Sequence, residues 1–76
     1  MDIDTIKDLS IDHTKLVEAR HEKGYSQAEV ARSLGFDRRQ IWQFEQGTAL
    51  TLENFTKLMF FYGKPIEFFL KQEVGE

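Results

Sequence analysis

The chain has 76 residues, enough for one domain with a small core, and its 41% hydrophobic and 30% charged residues are typical of a folded protein. It has no cysteine, which excludes disulfide bonds and cysteine-based metal sites, and no apolar run of the roughly 20 residues that a membrane span requires. The formal net charge of −3 disfavours an extended basic surface. We therefore expect a cytoplasmic domain that does not associate with membranes.

The first segment, residues 1–11, is an acidic arm. The charges at this end of the chain are Asp2, Asp4, Asp8 and Asp12 against Lys7, so residues 13–76 are neutral overall. The segment has no basic region followed by an apolar one, and so it does not resemble a secretory signal. Ile3, Ile6 and Leu9 are compatible with either a helical turn or an extended conformation. We expect the folded domain to span residues 12–72 and to be followed by a short tail, residues 73–76.

The domain is predicted to be all-α, a compact bundle of five short helices. Glycines at 24, 35, 47 and 63 follow segments with helical periodicity, where a helix C-terminal glycine belongs. The predicted helices run from a cap at Asp12 to about Lys23, from the capping box Ser26–Glu29 to Leu34, from Asp37 to Gln46, from Thr51 to Tyr62, and from Pro65 to about Gln72. No alternating pattern typical of a strand is present.

The second and third predicted helices are joined by little more than Gly35-Phe36. A tight turn with glycine between two short helices is the geometry of a helix-turn-helix, whose second helix enters the major groove of DNA.

Two arginines occupy an unfavourable place at the start of the third helix. Arg38 and Arg39 fall in its first turn, where the helix dipole disfavours a cation by about 0.3–1 kcal/mol each. At 100° per residue, Arg38, Arg39, Trp42 and Gln43 share the face opposite Ile41 and Phe44. Arginine can bond guanine and glutamine can bond adenine, each with about 1–3 kcal/mol of discrimination, so a DNA groove would offset that cost. The alternative is a solvated surface pair balanced by acidic neighbours.

Several segments in this order resemble the helix-turn-helix repressors of the phage Cro and lambda-repressor type. The matching residues are Arg20, the strings GYSQAEVA (24–31) and LGFD (34–37), Ile41, the string FEQG (44–47), and the closing YG (62–63), Ile66 and FFL (68–70). The similarity covers about residues 12–72.

The resemblance implies roles for individual residues. Arg20 and Glu45 would form a structural ion pair, and Arg38, Arg39 and Gln43 would contact bases, with Trp42 beside them. Gln27, Gln46 and Gly47 would contact DNA phosphates. Members of this family usually form homodimers and regulate transcription, which implies a palindromic double-stranded DNA operator.

Some features depart from the family or have more than one interpretation. The loop GTALTLEN (47–54) has no lysine or arginine, so we expect few phosphate contacts. Lys64 stands where the family usually has an apolar residue. Trp42 can contact DNA, stack on Arg38, bind another protein or pack in the core. Phe60, Phe61, Phe68 and Phe69 are candidates for a dimer interface, the alternative being that all four lie in the core.

No catalytic, metal or cofactor site is predicted. His13 and His21 are expected to be exposed helix histidines, because they have no metal-ligand spacing, and Ser26 is a cap and not a nucleophile. We therefore expect a sequence-specific DNA-binding regulator that acts as a repressor, and not an enzyme. The alternatives are a protein-interaction or antitoxin-like adaptor and a regulator that only heterodimerises. The acidic arm could shield the DNA-binding surface, contact the other subunit or be disordered.

Overall fold

The computed structural model describes residues 10–71. Five helices follow one another: α1 (Thr14–Lys23), α2 (Gln27–Leu34), α3 (Arg38–Glu45), α4 (Leu52–Tyr62) and α5 (Ile66–Phe69). Outside the helices, the chain forms an antiparallel bridge between Ile11 and Leu70. The all-α prediction is therefore confirmed. The predictions for the first nine residues and for the tail lie outside the described residues.

Helix starts follow the capping residues of the sequence. The Ser26 hydroxyl accepts a hydrogen bond from the Glu29 N–H (3.1 Å), and the Glu29 carboxylate accepts one from the Ser26 N–H (2.8 Å). This reciprocal pair satisfies backbone donors that a helix leaves without partners at its first turn. At the start of α3, the Gln40 side-chain oxygen likewise accepts from the Asp37 N–H at 2.9 Å. The capping box that begins α2 is confirmed.

The start of α1 is capped by the side chain that the sequence predicts. The Asp12 carboxylate accepts hydrogen bonds from the hydroxyl (2.6 Å) and the N–H (3.1 Å) of Thr14, the first residue of the helix. His13, which lies between them, has helical dihedral angles (φ −65°, ψ −20°) and makes no side-chain capping bond. The hydroxyl bond contributes most to lowering the pKa of Asp12.

The fifth helix is shorter than predicted, and this prediction was wrong. It ends at Phe69, and Leu70 adopts an extended conformation (φ −78°, ψ 145°). The chain then pairs with the segment before α1: the Asp12 N–H bonds the Phe69 carbonyl and the Lys71 N–H bonds the carbonyl of Ser10, both at 2.8 Å. This pairing satisfies backbone groups that a longer helix would have bonded internally.

A single hydrophobic core lies between the helices. Its buried members are Ile11, Leu16, Ala19, Val30, Ala31, Ile41, Phe44, Leu50, Phe55, Leu58, Tyr62 and Phe69. Phe55 and Phe69 meet edge to face with their ring centroids 5.3 Å apart. Every helix contributes to this core, which therefore fixes α3 relative to α1 and α2.

Candidate nucleic-acid interface

Helix α3 has one buried face and one exposed face. Ile41 and Phe44 are almost completely buried, and the Phe44 ring meets Phe36 edge to face at 5.3 Å. Arg38 and Arg39 are exposed on the opposite side. The core therefore holds the helix in an orientation that presents both arginines to solvent.

The start of α3 borders a shallow surface depression of about 330 Å³. Its lining residues are Gln27, Arg38, Arg39 and Trp42. We call this surface the arginine face. Among residues 10–71, no carboxylate forms an ion pair with either arginine. Two cations beside the positive end of the helix dipole give this surface a preference for anions.

Trp42 lies at the surface and not in the core. Half of its side chain is exposed, and it borders the arginine face. The cation–π contacts found in residues 10–71 involve lysines and phenylalanines, so stacking of Arg38 on Trp42 is not observed. An exposed indole next to two guanidinium groups offers an apolar surface for a ligand. Gln43, the fourth predicted base contact, is half-buried on the same helix.

A buried ion pair ties the end of α3 to α1. The Glu45 carboxylate is only 5% exposed and accepts two hydrogen bonds from Arg20, one from Nε (2.7 Å) and one from Nη2 (3.1 Å). The third arm of the guanidinium, Nη1, donates to the Tyr25 carbonyl at 3.1 Å. The bond to Glu45 raises the pKa of Arg20, while burial is the main cause of the raised pKa of Tyr62.

Gln27 connects α2 to the same carboxylate. Its amide nitrogen donates to Glu45 Oε1 at 2.9 Å while the residue also lines the arginine face. One amide hydrogen is therefore engaged inside the protein, and the other remains for a second acceptor. The bond fixes the direction of the amide relative to α3.

Gln46 and Gly47, which follow α3 and are predicted to approach phosphates, both form backbone hydrogen bonds within the protein. Gln46 is exposed and caps the helix, with its N–H bonded to the carbonyls of Trp42 and Gln43 (both 3.1 Å). The Gly47 N–H bonds the Phe44 carbonyl at 3.0 Å, so this amide is used within the protein.

His13 is a structural contact that sequence reasoning missed. It was expected to be an exposed helix histidine, but it is half-buried, and its Nδ1 lies 2.8 Å from the Glu45 carbonyl oxygen. Because a carbonyl only accepts, Nδ1 must donate the proton. The ring also packs on Gly47, where an added Cβ would lie 2.7 Å from His13 Cδ2. The partners are 32 residues apart, and no local pattern indicates such a contact.

Comparison with protein families gives a match that agrees with this geometry. A family described as helix-turn-helix matches residues 16–69, more than two thirds of the chain. The chain belongs to the helix-turn-helix family. Its type is that of phage Cro and lambda repressor, as the sequence resemblance indicated. No curated protein and no solved structure shows significant similarity to it. The family consists of DNA-binding regulators that are generally not enzymes, so DNA is the general class of partner.

In this helix-turn-helix protein the four candidate interface phenylalanines have different environments. Phe60 is 74% exposed, whereas Phe69 is fully buried, so its ring offers no surface to a partner. Phe61 stacks on Tyr25 with the ring centroids 5.1 Å apart. Phe68 is half-buried, and the ammonium groups of Lys15 and Lys64 lie 5.3 and 4.8 Å, respectively, from its ring centroid.

Among residues 10–71, no group of three or more histidine, aspartate or glutamate residues is arranged to hold a metal ion. The described helices include none with the length and apolar character needed to cross a membrane.

Proposed function

We propose that this helix-turn-helix protein is a bacterial or phage transcriptional repressor that acts in the cytoplasm and binds a defined double-stranded DNA sequence. Helix α3 would enter the major groove. One observation carries the proposal: α3 is fixed by buried contacts on one side and exposes two arginines without acidic partners in residues 10–71 on the other. A rigid helix with free hydrogen-bond donors suits base recognition, because little backbone conformational entropy is lost on binding.

Base contacts are assigned to the exposed side of α3. Arg38 and Arg39 would each form a bidentate contact with guanine O6 and N7, and Gln43 would bond adenine. Trp42 would lie against an apolar base edge such as the methyl group of thymine. The exposure of both arginines and of the indole supports this assignment.

Hydrogen bonds to phosphates are assigned to Gln27 and Gln46, and a close approach of the backbone without a hydrogen bond is assigned to Gly47, whose N–H is bonded to the Phe44 carbonyl. The bond from Gln27 to Glu45 supports the first of these, because it holds the amide beside the arginine face. Each phosphate contact contributes about 0.9 to the slope of log affinity against log salt concentration. Because the loop of residues 47–54 has no basic side chain, we expect a shallow salt dependence and weak non-specific binding.

A homodimer on a palindromic operator completes the proposal. The exposed Phe60 ring supports a dimer contact, since aromatic side chains are enriched at protein interfaces. Two-fold symmetry would then place the half-sites about one helical turn of DNA apart.

Selection of bound sequences from a random duplex pool, combined with the protein mass in solution, tests this function. We expect one palindromic sequence and a dimer. Arg39→Ala should weaken binding to that sequence by about 5- to 150-fold, equivalent to 1–3 kcal/mol, with a much smaller loss on random duplex. Arg32→Ala is the matched control, because Arg32 is an exposed arginine on α2 that does not line the arginine face. Equal losses on both duplexes would contradict a base contact by Arg39.

A protein-interaction or antitoxin-like adaptor is the second candidate function. The exposure of Phe60 and the absence of basic residues in the 47–54 loop favour it. Failure to enrich any sequence at any salt concentration would support the adaptor and refute the repressor.

A further inference from the structure

The arginine face has no counter-charge among the described residues. Four of the seven other lysine and arginine side chains in residues 10–71 have one: Lys15, Lys57 and Lys64 each pair with a glutamate at the surface, and Arg20 pairs with Glu45. Arg38 and Arg39 stand next to each other without such a partner, beside an exposed indole. This surface therefore suits a ligand that is both acidic and apolar.

The first nine residues of the acidic arm join the described fold at Ser10, three residues before a contact with helix α3. The carbonyl of Ser10 is fixed by the Lys71 N–H, and three residues later His13 touches the C-terminal end of α3 through the Glu45 carbonyl and Gly47. Helix α3 has eight residues, so it is about 12 Å long at 1.5 Å per residue. An extended segment of nine residues spans up to about 30 Å. Residues 1–9 are therefore long enough to run from Ser10 along the whole of α3.

The composition of the arm matches the arginine face. Residues 1–9 are MDIDTIKDL, in which acidic and aliphatic side chains are interspersed. Asp2, Asp4 and Asp8 can supply carboxylates to the arginines, and Ile3 and Ile6 can supply apolar contact to Trp42.

We propose that residues 1–9 dock on the arginine face in the absence of DNA and compete with DNA for it. The competition rests on the proposed function, whereas the docking does not. The arm then acts as an internal substitute for the phosphate backbone, and DNA must displace it before α3 can enter the groove.

The expected gain in DNA affinity when the arm is neutralised follows from the energies of exposed ion pairs. Each pair contributes up to about fivefold, and the tether supplies the arm at millimolar effective concentration. If the arm aspartates form one ion pair with each of Arg38 and Arg39, and each pair is formed part of the time, neutralising the arm should tighten DNA binding about three- to tenfold. Both pairs are exposed, so the effect should vanish at 1 M salt, where the Debye length is about 3 Å.

Fluorescence tests the docking without DNA, because Trp42 is the single tryptophan of the chain. The test variant is the full chain carrying Asp2→Asn, Asp4→Asn and Asp8→Asn. We expect its indole emission to shift to longer wavelength and to be quenched more strongly by acrylamide than that of the wild type. In 1 M NaCl the wild type should match the variant. Identical emission and quenching at low salt would overturn the proposal.

A charge-matched control separates docking from general repulsion of DNA. The control carries Glu18→Gln, Glu53→Gln and Glu67→Gln, which neutralise three exposed carboxylates on the helices. We expect the arm variant to bind duplex about three- to tenfold more tightly than this control does. Equal affinities of the two variants would refute competition. If no variant binds any duplex, the proposed function fails while the fluorescence comparison still decides the docking.

Discussion

Replacing Arg20 by methionine removes one partner of the buried ion pair and retains most of the side-chain volume. In the wild type, Arg20 supplies two of the three hydrogen bonds that the Glu45 carboxylate accepts, at 2.7 and 3.1 Å. After the substitution, the carboxylate, only 5% exposed, keeps only the bond from Gln27. A buried charge without its counter-ion is strongly unfavourable because water cannot replace the lost partner.

The expected loss is a large part of the total stability. Breaking a buried pair by removing one partner costs about 3–5 kcal/mol. A domain of 76 residues has a free energy of unfolding of roughly 4–11 kcal/mol. At about 4–8 °C per kcal/mol, the melting temperature should fall by at least about 12 °C.

Urea unfolding of three variants measures this loss. Lys15→Met is the control, because the Lys15–Glu18 pair is exposed and should contribute at most about 0.5 kcal/mol. The double variant Arg20→Met/Glu45→Leu removes both buried charges, and it should recover most of the stability that Arg20→Met loses. The reasoning is refuted if Arg20→Met costs no more than Lys15→Met, or if the double variant is as unstable as the single one.

Three further predictions concern stability and assembly. In thermal unfolding, Gly47→Ala should destabilise the protein more than Gly24→Ala does. Both glycines have positive φ, which costs alanine about 1–2 kcal/mol at either position. Only at Gly47 does an added Cβ also meet the His13 ring. Equal losses would show that the ring moves aside freely. Burial raises the pKa of Tyr62 above its ordinary value of 10.0, so the folded state holds this proton more tightly than the unfolded state. The contribution of Tyr62 to the free energy of unfolding should therefore be fully present below pH 10 and fall above pH 10 by up to about 1.4 kcal/mol per pH unit. In urea titrations, Tyr62→Phe should lack this loss of stability above pH 10. Phe60→Asp should weaken dimerisation at least about tenfold in sedimentation experiments and change the monomer's stability by less than about 0.5 kcal/mol; an unchanged mass would remove Phe60 from the interface.

The sequence predicts the helices well because their start and stop signals are local. Ser26 and Glu29 are three residues apart, and glycines at positive φ follow α1, α2 and α4. A cap of this kind depends on contacts within one turn, so its residues can be recognised without knowledge of the tertiary fold.

The remaining features depend on contacts between distant segments. The end of α5 is set by Ile11, and the position of the His13 ring is set by Glu45. Helical periodicity also does not distinguish Phe60 from Phe69, which are 74% and 0% exposed, because the difference depends on which other helix covers each ring. For Trp42 the pattern identified the correct face of α3, and the structure supplied its surface position beside the arginines.

The bridge between Ile11 and Leu70 has a consequence for synthesis of the chain. Ile11 emerges early from the ribosome, but its partner follows 59 residues later, when α1 to α4 are already complete. Closing a loop of about 60 residues costs roughly 3.6 kcal/mol of chain entropy before any contact compensates it. We therefore expect the turn between α2 and α3, whose contacts are local, to form on the nascent chain. The two ends of the domain would join only after Leu70 has left the exit tunnel.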